Sequence, residues 1–129
     1  MATIELTENN FNDIVQNNAM VLVDFWADWC GPCKSFAPVF EAAAAKNPDI
    51  VFAKVDTQNQ QALAGHFGIR SIPTLMIFRD QIIIFSQAGA LPAAALDDII
   101  GKAKALDMDV VRAEIAKQES ASNQESGNA

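Results

Sequence analysis

The chain has 129 residues, half of them hydrophobic, and a net charge of −7. That length carries one domain around one core rather than two, and an acidic excess spread along the chain, without a basic stripe, argues against nucleic acid and against anionic membrane surfaces. No apolar run reaches the ~18 residues a membrane span needs, and the N-terminus lacks the basic-then-apolar pattern of a secretory signal, so a cytoplasmic protein is expected.

In chain order, Ile4 and Leu6 mark a short first strand. Thr7 can cap a helix running to about Gln16, with Phe11, Ile14 and Val15 on one face. MVLVDFWA, residues 20–27, is continuously apolar apart from one aspartate, the pattern of a strand covered on both faces. A helix follows over residues 32–46, with Phe36, Val39 and Phe40 on its apolar side, and Asn47-Pro48 stops it. Pro38 lies inside it and is expected to kink it, because proline removes a hydrogen bond and crowds the preceding turn. Residues 50–56 read as another strand, and QNQQALAGHFG as a short helix ending near Gly65 or Gly68. TLMIFR and IIIFSQ form a hairpin joined at Asp80 and Gln81, which lacks the Asn-Gly or Asp-Gly pair that tight turns prefer. Gly89 breaks the chain. Pro92 suits the first turn of a helix reaching about Ala105, with Leu96, Ile99 and Ile100 facing inward.

The order β-α-β-α-β-α-β-β-α implies an α/β domain, a mixed sheet with helices on both faces, over residues 1–106. Residues 107–118 read as a helical extension whose stripe of Met108, Val111 and Ile115 either packs on the domain or meets a partner. Residues 119–129 are small and polar and read as a disordered tail.

The only two cysteines, Cys30 and Cys33, fall where the apolar strand meets a helix N-terminus. Backbone N–H groups there lack intrahelical partners and the helix dipole presents positive charge, so a thiolate is stabilised and its pKa falls from about 8.5 toward neutrality. Cys30, ahead of the helix, is expected to be the exposed nucleophile, and Cys33, one turn inside, the shielded thiol that resolves a mixed disulfide. Gly31 leaves room for an approaching chain, and Pro32 stiffens the loop without adding charge. The competing reading is a zinc half-site or inert core thiols. With two cysteines and the single histidine His66, one copy cannot fill a four-ligand shell, so no metal is expected.

Asp24 stands inside the apolar strand. If it is buried, desolvation raises its pKa and lets it exchange a proton near neutral pH; at a wet edge it is an ordinary carboxylate. Lys54, on the next parallel strand, is a candidate partner or a solvated lysine. Ile72-Pro73 opens a strand, where the missing N–H does least harm, and these residues alone do not decide between a cis and a trans bond. His66 reads as a solvated helix residue.

WCGPC at residues 29–33 resembles the active-site motif of the thioredoxin family, and the likeness extends over about residues 3–105. It includes Asp24 and Trp26 in VDFWA, Pro38 in SFAP, Lys54 in AKVD, GIRSIPT at 68–74 and Gly89 in AGAL. The resemblance implies a central five-stranded mixed sheet flanked by four helices, with Trp26 and Pro38 as structural positions. It implies a protein-disulfide reductase acting in cell redox homeostasis, with Cys30 as nucleophile, Cys33 as resolving thiol, Asp24 as a buried proton relay beside Lys54, and Ile72-Pro73 cis. Trp29, Gly31, Pro32, Ile72, Pro73, Gly89 and Ala90 would line the client groove. No cofactor would be bound: a thioredoxin reductase fed by NADPH would restore the dithiol of a monomer that serves disulfide-containing client proteins. Ser71, Thr57 and Phe67 depart from residues common in the family. A disulfide oxidase or isomerase, or a redox-independent binding or chaperone module on the same fold, are the alternatives.

Overall fold

The computed structural model describes residues 2–127. Ten elements follow one another: β1 (Thr3–Glu5), α1 (Phe11–Asn17), β2 (Met20–Trp26), α2 (Gly31–Lys46), β3 (Val51–Asp56), α3 (Gln61–His66), β4 (Thr74–Arg79), β5 (Ile82–Ala88), α4 (Ala93–Ala105) and α5 (Met108–Gly127). The five strands form one sheet in the order β1-β3-β2-β4-β5. β1, β3 and β2 run parallel, while β4 is antiparallel to both β2 and β5. The central strand β2 therefore has neighbours on both sides and helices above and below, which is why its sequence is apolar almost without interruption.

Alternation along the strands divides the core. Leu22, Phe52, Leu75 and Ile77 meet Phe36 and Phe40 of α2 and Leu96 and Ile100 of α4 on one face. Val21, Val23, Phe25, Val55, Met76 and Phe78 meet Val15 of α1 and Leu63 of α3 on the other. Each such side chain, fully buried, contributes roughly 1.5–3 kcal/mol. Asp24 falls on the Leu22 face, between Lys54 of β3 and Leu75 of β4.

The start of α1 differs from the sequence reading, while the hairpin joint at Asp80 and Gln81 lies where that reading put it. α1 begins at Phe11, not after Thr7, because the Asn10 side chain accepts from Thr7 N at 2.7 Å and donates to the Glu5 carbonyl at 2.9 Å. These local bonds hold the chain in a turn before the helix starts. The hairpin turns on two non-glycine residues, both left-handed, Asp80 at φ 50° and Gln81 at φ 69°; the pair of positive φ values is what matches a two-residue turn to twisted strands. α2 runs without a break through Pro38, whose missing N–H leaves the Lys34 carbonyl without its usual partner.

α5 also extends past the expected end at 118: its backbone stays helical to Gly127, so residues 119–127 of the expected tail are helical, and residues 128–129 lie outside the described residues. Asp107 starts it, accepting from Asp109 N at 3.0 Å and Val110 N at 3.3 Å. Once nucleated, Ala-, Glu- and Gln-containing sequence propagates a helix at little cost. Met108 is buried, Val111 and Ile115 are half-buried, and Arg112 reaches Asp80 at 3.1 Å, so the first turns rest on the domain. No helix among the described residues is long and apolar enough to cross a membrane.

Candidate active site

β2 delivers the chain to the C-terminal edge of the sheet, and α2 starts there. Cys30 is the N-cap residue of α2, extended at φ −89° and ψ 110°, and its Sγ lies 3.2 Å from the backbone N of Cys33. Pro32 sits in the first turn, where its lack of an N–H is harmless. The two cysteines are joined as a disulfide with Cα atoms 5.2 Å apart. A backbone donor aimed at Cys30 Sγ from a helix N-terminus is the arrangement that stabilises the thiolate once the bond is reduced.

The expected contrast in exposure between the cysteines is absent in this disulfide form: Cys30 is 4 % exposed and Cys33 3 %. Cys30 Sγ is turned toward the helix and lies 3.6 Å from the Ile72 carbonyl oxygen, which covers it from the front. Exposure belongs instead to its neighbours, with Trp29 68 % exposed and Gly31 and Pro32 open to solvent.

The Ile72-Pro73 bond is cis. Pro73 is buried, Ile72 is half-buried, and the Pro73 carbonyl accepts from Gly89 N at 2.8 Å. Gly89, at φ +106°, occupies backbone space that other residues rarely adopt. Gly89 and Ala90 are exposed beside this segment. Trp29, Gly31, Pro32, Ile72, Pro73, Gly89 and Ala90 are thus carried on three segments, which the Cys30–Ile72 and Pro73–Gly89 contacts tie together.

In β2, on the face that carries Leu22, lies Asp24, with no exposed surface and no hydrogen-bond partner for either carboxylate oxygen. Burial pushes its pKa up from 3.8 to about 7, and the positive charge of Lys54 partly offsets that rise. Lys54 pairs with Asp24 in the parallel β2–β3 register, and its Nζ stands 5.0 Å from the centre of the Trp26 ring. The wet-edge alternative for Asp24 is thereby excluded, and Trp26 acquires a specific role as the surface over which Lys54 lies.

Sequence reasoning did not find all of the site. Thr57, noted only as a family departure, bonds the Trp26 carbonyl through its N at 2.9 Å and its Oγ1 at 3.0 Å, fixing the end of β2. A cavity of about 120 Å³ beside Cys33 is lined by Trp26, Ala27, Asp28, Lys34, Ala37 and Lys54. No periodicity or motif marks Ala37 or Asp28, because the cavity arises only where α2 crosses the ends of β2 and β3. His66 is exposed and packs edge-on to Phe67, with ring centres 4.9 Å apart, on α3 rather than at this site. Among the described residues no group of three or more His, Cys, Asp or Glu could hold a metal ion.

Known proteins share this arrangement. The thioredoxin family model matches residues 2–102. A protein of Streptomyces coelicolor named as a thioredoxin 2 is 60 % identical over 118 residues, 92 % of this chain and 88 % of that one. Thioredoxin of Bacillus subtilis is 37 % identical over 103 residues, 79 % of this chain and 98 % of that one. Among solved structures, a mutant thioredoxin of Halobacterium salinarum superposes with a TM-score of 0.75 at 35 % identity, covering 82 % of this chain and 95 % of that one.

Proposed function

The chain belongs to the thioredoxin family and is a dithiol–disulfide reductase, and from that premise we propose the following division of labour. Cys30 thiolate attacks a client disulfide, one client sulfur leaves as thiolate, and a mixed disulfide remains on Cys30. Asp24 takes the proton of Cys33. The Cys33 thiolate attacks Cys30 Sγ, the Cys30–Cys33 bond forms, and the second client sulfur leaves with the electron pair of the broken bond. Lys54 holds the Asp24 proton affinity near neutrality by its charge.

One observation carries this reading: a wholly buried carboxylate with two unpaired oxygens stands on the strand that leads into a helix N-terminus bearing a cysteine pair. Burial without a partner is costly, and a group whose pKa lies near ambient pH can accept and return a proton in each cycle.

The client groove is formed by Trp29, Gly31, Pro32, Ile72, Pro73, Gly89 and Ala90. An extended client segment pairs with the Ile72 backbone as an added strand, so recognition reads backbone shape and clients are disulfide-containing proteins of many kinds. A thioredoxin reductase drawing on NADPH regenerates the dithiol, and the protein acts as a monomer in the cytoplasm.

Cys33→Ser tests the division of roles. It should hold clients as mixed disulfides on Cys30, visible as adducts on non-reducing gels. A variant that captures none, beside a wild type that reduces insulin, overturns it. A Cys30–Cys33 potential well above the about −270 mV that is the reference value for thioredoxins would make the protein an oxidant instead.

A further inference from the structure

β1 and β5 are the two edges of the sheet, and among the described residues each has a single strand neighbour. β1 is three residues long and ends on the exposed Glu5, the short and charged kind of edge that discourages a further strand. β5 is seven residues long and holds neither charge nor proline. No Asp, Glu, Lys or Arg stands between Asp80 and Asp97. The register with β4 slips between Ile77 and Phe78, with Ile84 as the extra residue, so the regular part of this edge is Phe85–Ala88. Ser86, Gln87 and Ala88 are exposed. Apolar surface flanks the edge on both faces. Ile84 and Phe85 line a groove of about 330 Å³ with Ile99 and Leu106 beside α4. Ile83, 45 % exposed, lines one of about 360 Å³ with Phe11 and Phe78 beside α1.

We propose that β5 pairs antiparallel with β5 of a second copy of this chain, about a twofold axis between Ser86 and Gln87, the midpoint of the regular run. Across that axis Phe85 stands opposite Ala88, and Ser86 opposite Gln87. An antiparallel edge is self-complementary under a twofold, since each strand offers the donors and acceptors that the other lacks. Charge selects the same face. Copies that each carry −7 repel, and they meet at least cost along a stretch without charge. The paired run is short, and with its flanks it buries less than the ~800 Å² per partner of a standard interface, so the dimer is weak, with a dissociation constant on the order of 100 µM. The same pairing sets Ile84 opposite Gly89 and Ile83 opposite Ala90, closing that end of the client groove. This consequence rests on the groove reading of Gly89 and Ala90; the pairing itself does not. The monomer is the form that turns over, and the dimer is a resting form that builds up as the protein is concentrated.

Sedimentation equilibrium of the full chain between about 10 µM and about 1 mM measures the association. The average mass should climb from near the monomer to near the dimer, and the amide signals that move on dilution should cluster at residues 83–90. Two double variants test the register. Ser86→Lys with Gln87→Lys, and Ser86→Glu with Gln87→Glu, each set like charges directly opposite one another across the axis. Both change exposed side chains only, so the fold is kept. Each variant alone should stay monomeric at about 1 mM, and an equimolar mixture should associate one to one, because every Lys then faces a Glu. A wild type that stays monomeric at that concentration, or charged variants that associate as it does, overturns the pairing, and a mixture that stays monomeric overturns the register. The groove consequence is read separately. Per chain, the second-order rate constant for insulin reduction should fall about fourfold over the same range in the wild type and stay level in the Lys variant. A level constant in a wild type that does dimerise removes Gly89 and Ala90 from the client groove and leaves the pairing standing.

Discussion

Two aspartates are buried among the described residues, and they are buried in opposite ways. Asp56 closes β3, where the strand gives way to a turn, and its carboxylate accepts from Gln58 N and from Asn59 Nδ2. Asp24 lies in the middle of β2, where the backbone N–H groups are committed to the sheet, and its oxygens meet nothing. A carboxylate at a strand end finds donors in the turn and stabilises it. A carboxylate in mid-sheet finds none, so its burial acts against stability.

The largest break of that contrast comes from removing the charge at Asp24. Its pKa is about 7 folded against 3.8 as the ordinary value, a difference that corresponds to about 4 kcal/mol of destabilisation when the group must be ionised. Because the folded protein then holds more protons than the unfolded chain between pH 4 and 7, stability falls as pH rises through that window, and the loss is complete above it. Asp24→Asn should therefore be more stable than wild type by about 3 kcal/mol at pH 8, after allowing for an amide left unpaired, and should lose most of the advantage below pH 4. Urea unfolding of the oxidised proteins at the two pH values checks it; equal gains at both would show that ionisation is not the cause. The same variant should reduce insulin more slowly near pH 7 and approach the wild-type rate in alkali, where thiols ionise unaided.

Lys54→Met sharpens the contrast from the partner's side. Lys54 is the charge that lowers the Asp24 pKa, so its loss should push that pKa further up and cut insulin reduction at pH 7 by roughly two- to fivefold, a shift of about half to one pKa unit. A fall of the same factor at pH 9 would point to a packing defect instead. The smallest effect is expected at the satisfied carboxylate. Asp56→Asn weakens two charge-assisted bonds and should destabilise by about 1 kcal/mol at pH 8, opposite in sign to the same change at Asp24. A gain in urea midpoint there would erase the distinction.

The strands and helices were legible because periodicity reports burial: β4 occupies the Thr74–Arg79 stretch read from TLMIFR, and β2 matches its apolar run to within a residue. The start of α1 was misread because the Asn10 side chain competes with the helix for the same backbone groups. The hairpin turn was uncertain because left-handed Asp80 and Gln81 lack the glycine that usually signals such a turn. At the site, the cysteine pair and its helix stood out locally. The burial of Asp24 and the cis bond at Pro73 were left open by the residues themselves and implied only by the family resemblance, while the shielding of Cys30 and the cavity at Ala37 were not read at all, since each is made by segments distant in sequence.

By itself the sequence determined which sulfurs react and which element holds them, because three-residue spacing at a strand–helix junction is a local fact. Only the tertiary structure decided how acidic Asp24 is, which face of Cys30 is covered and where a cavity opens beside Cys33. Those properties depend on desolvation and on chain crossings, and no stretch of neighbouring residues encodes either.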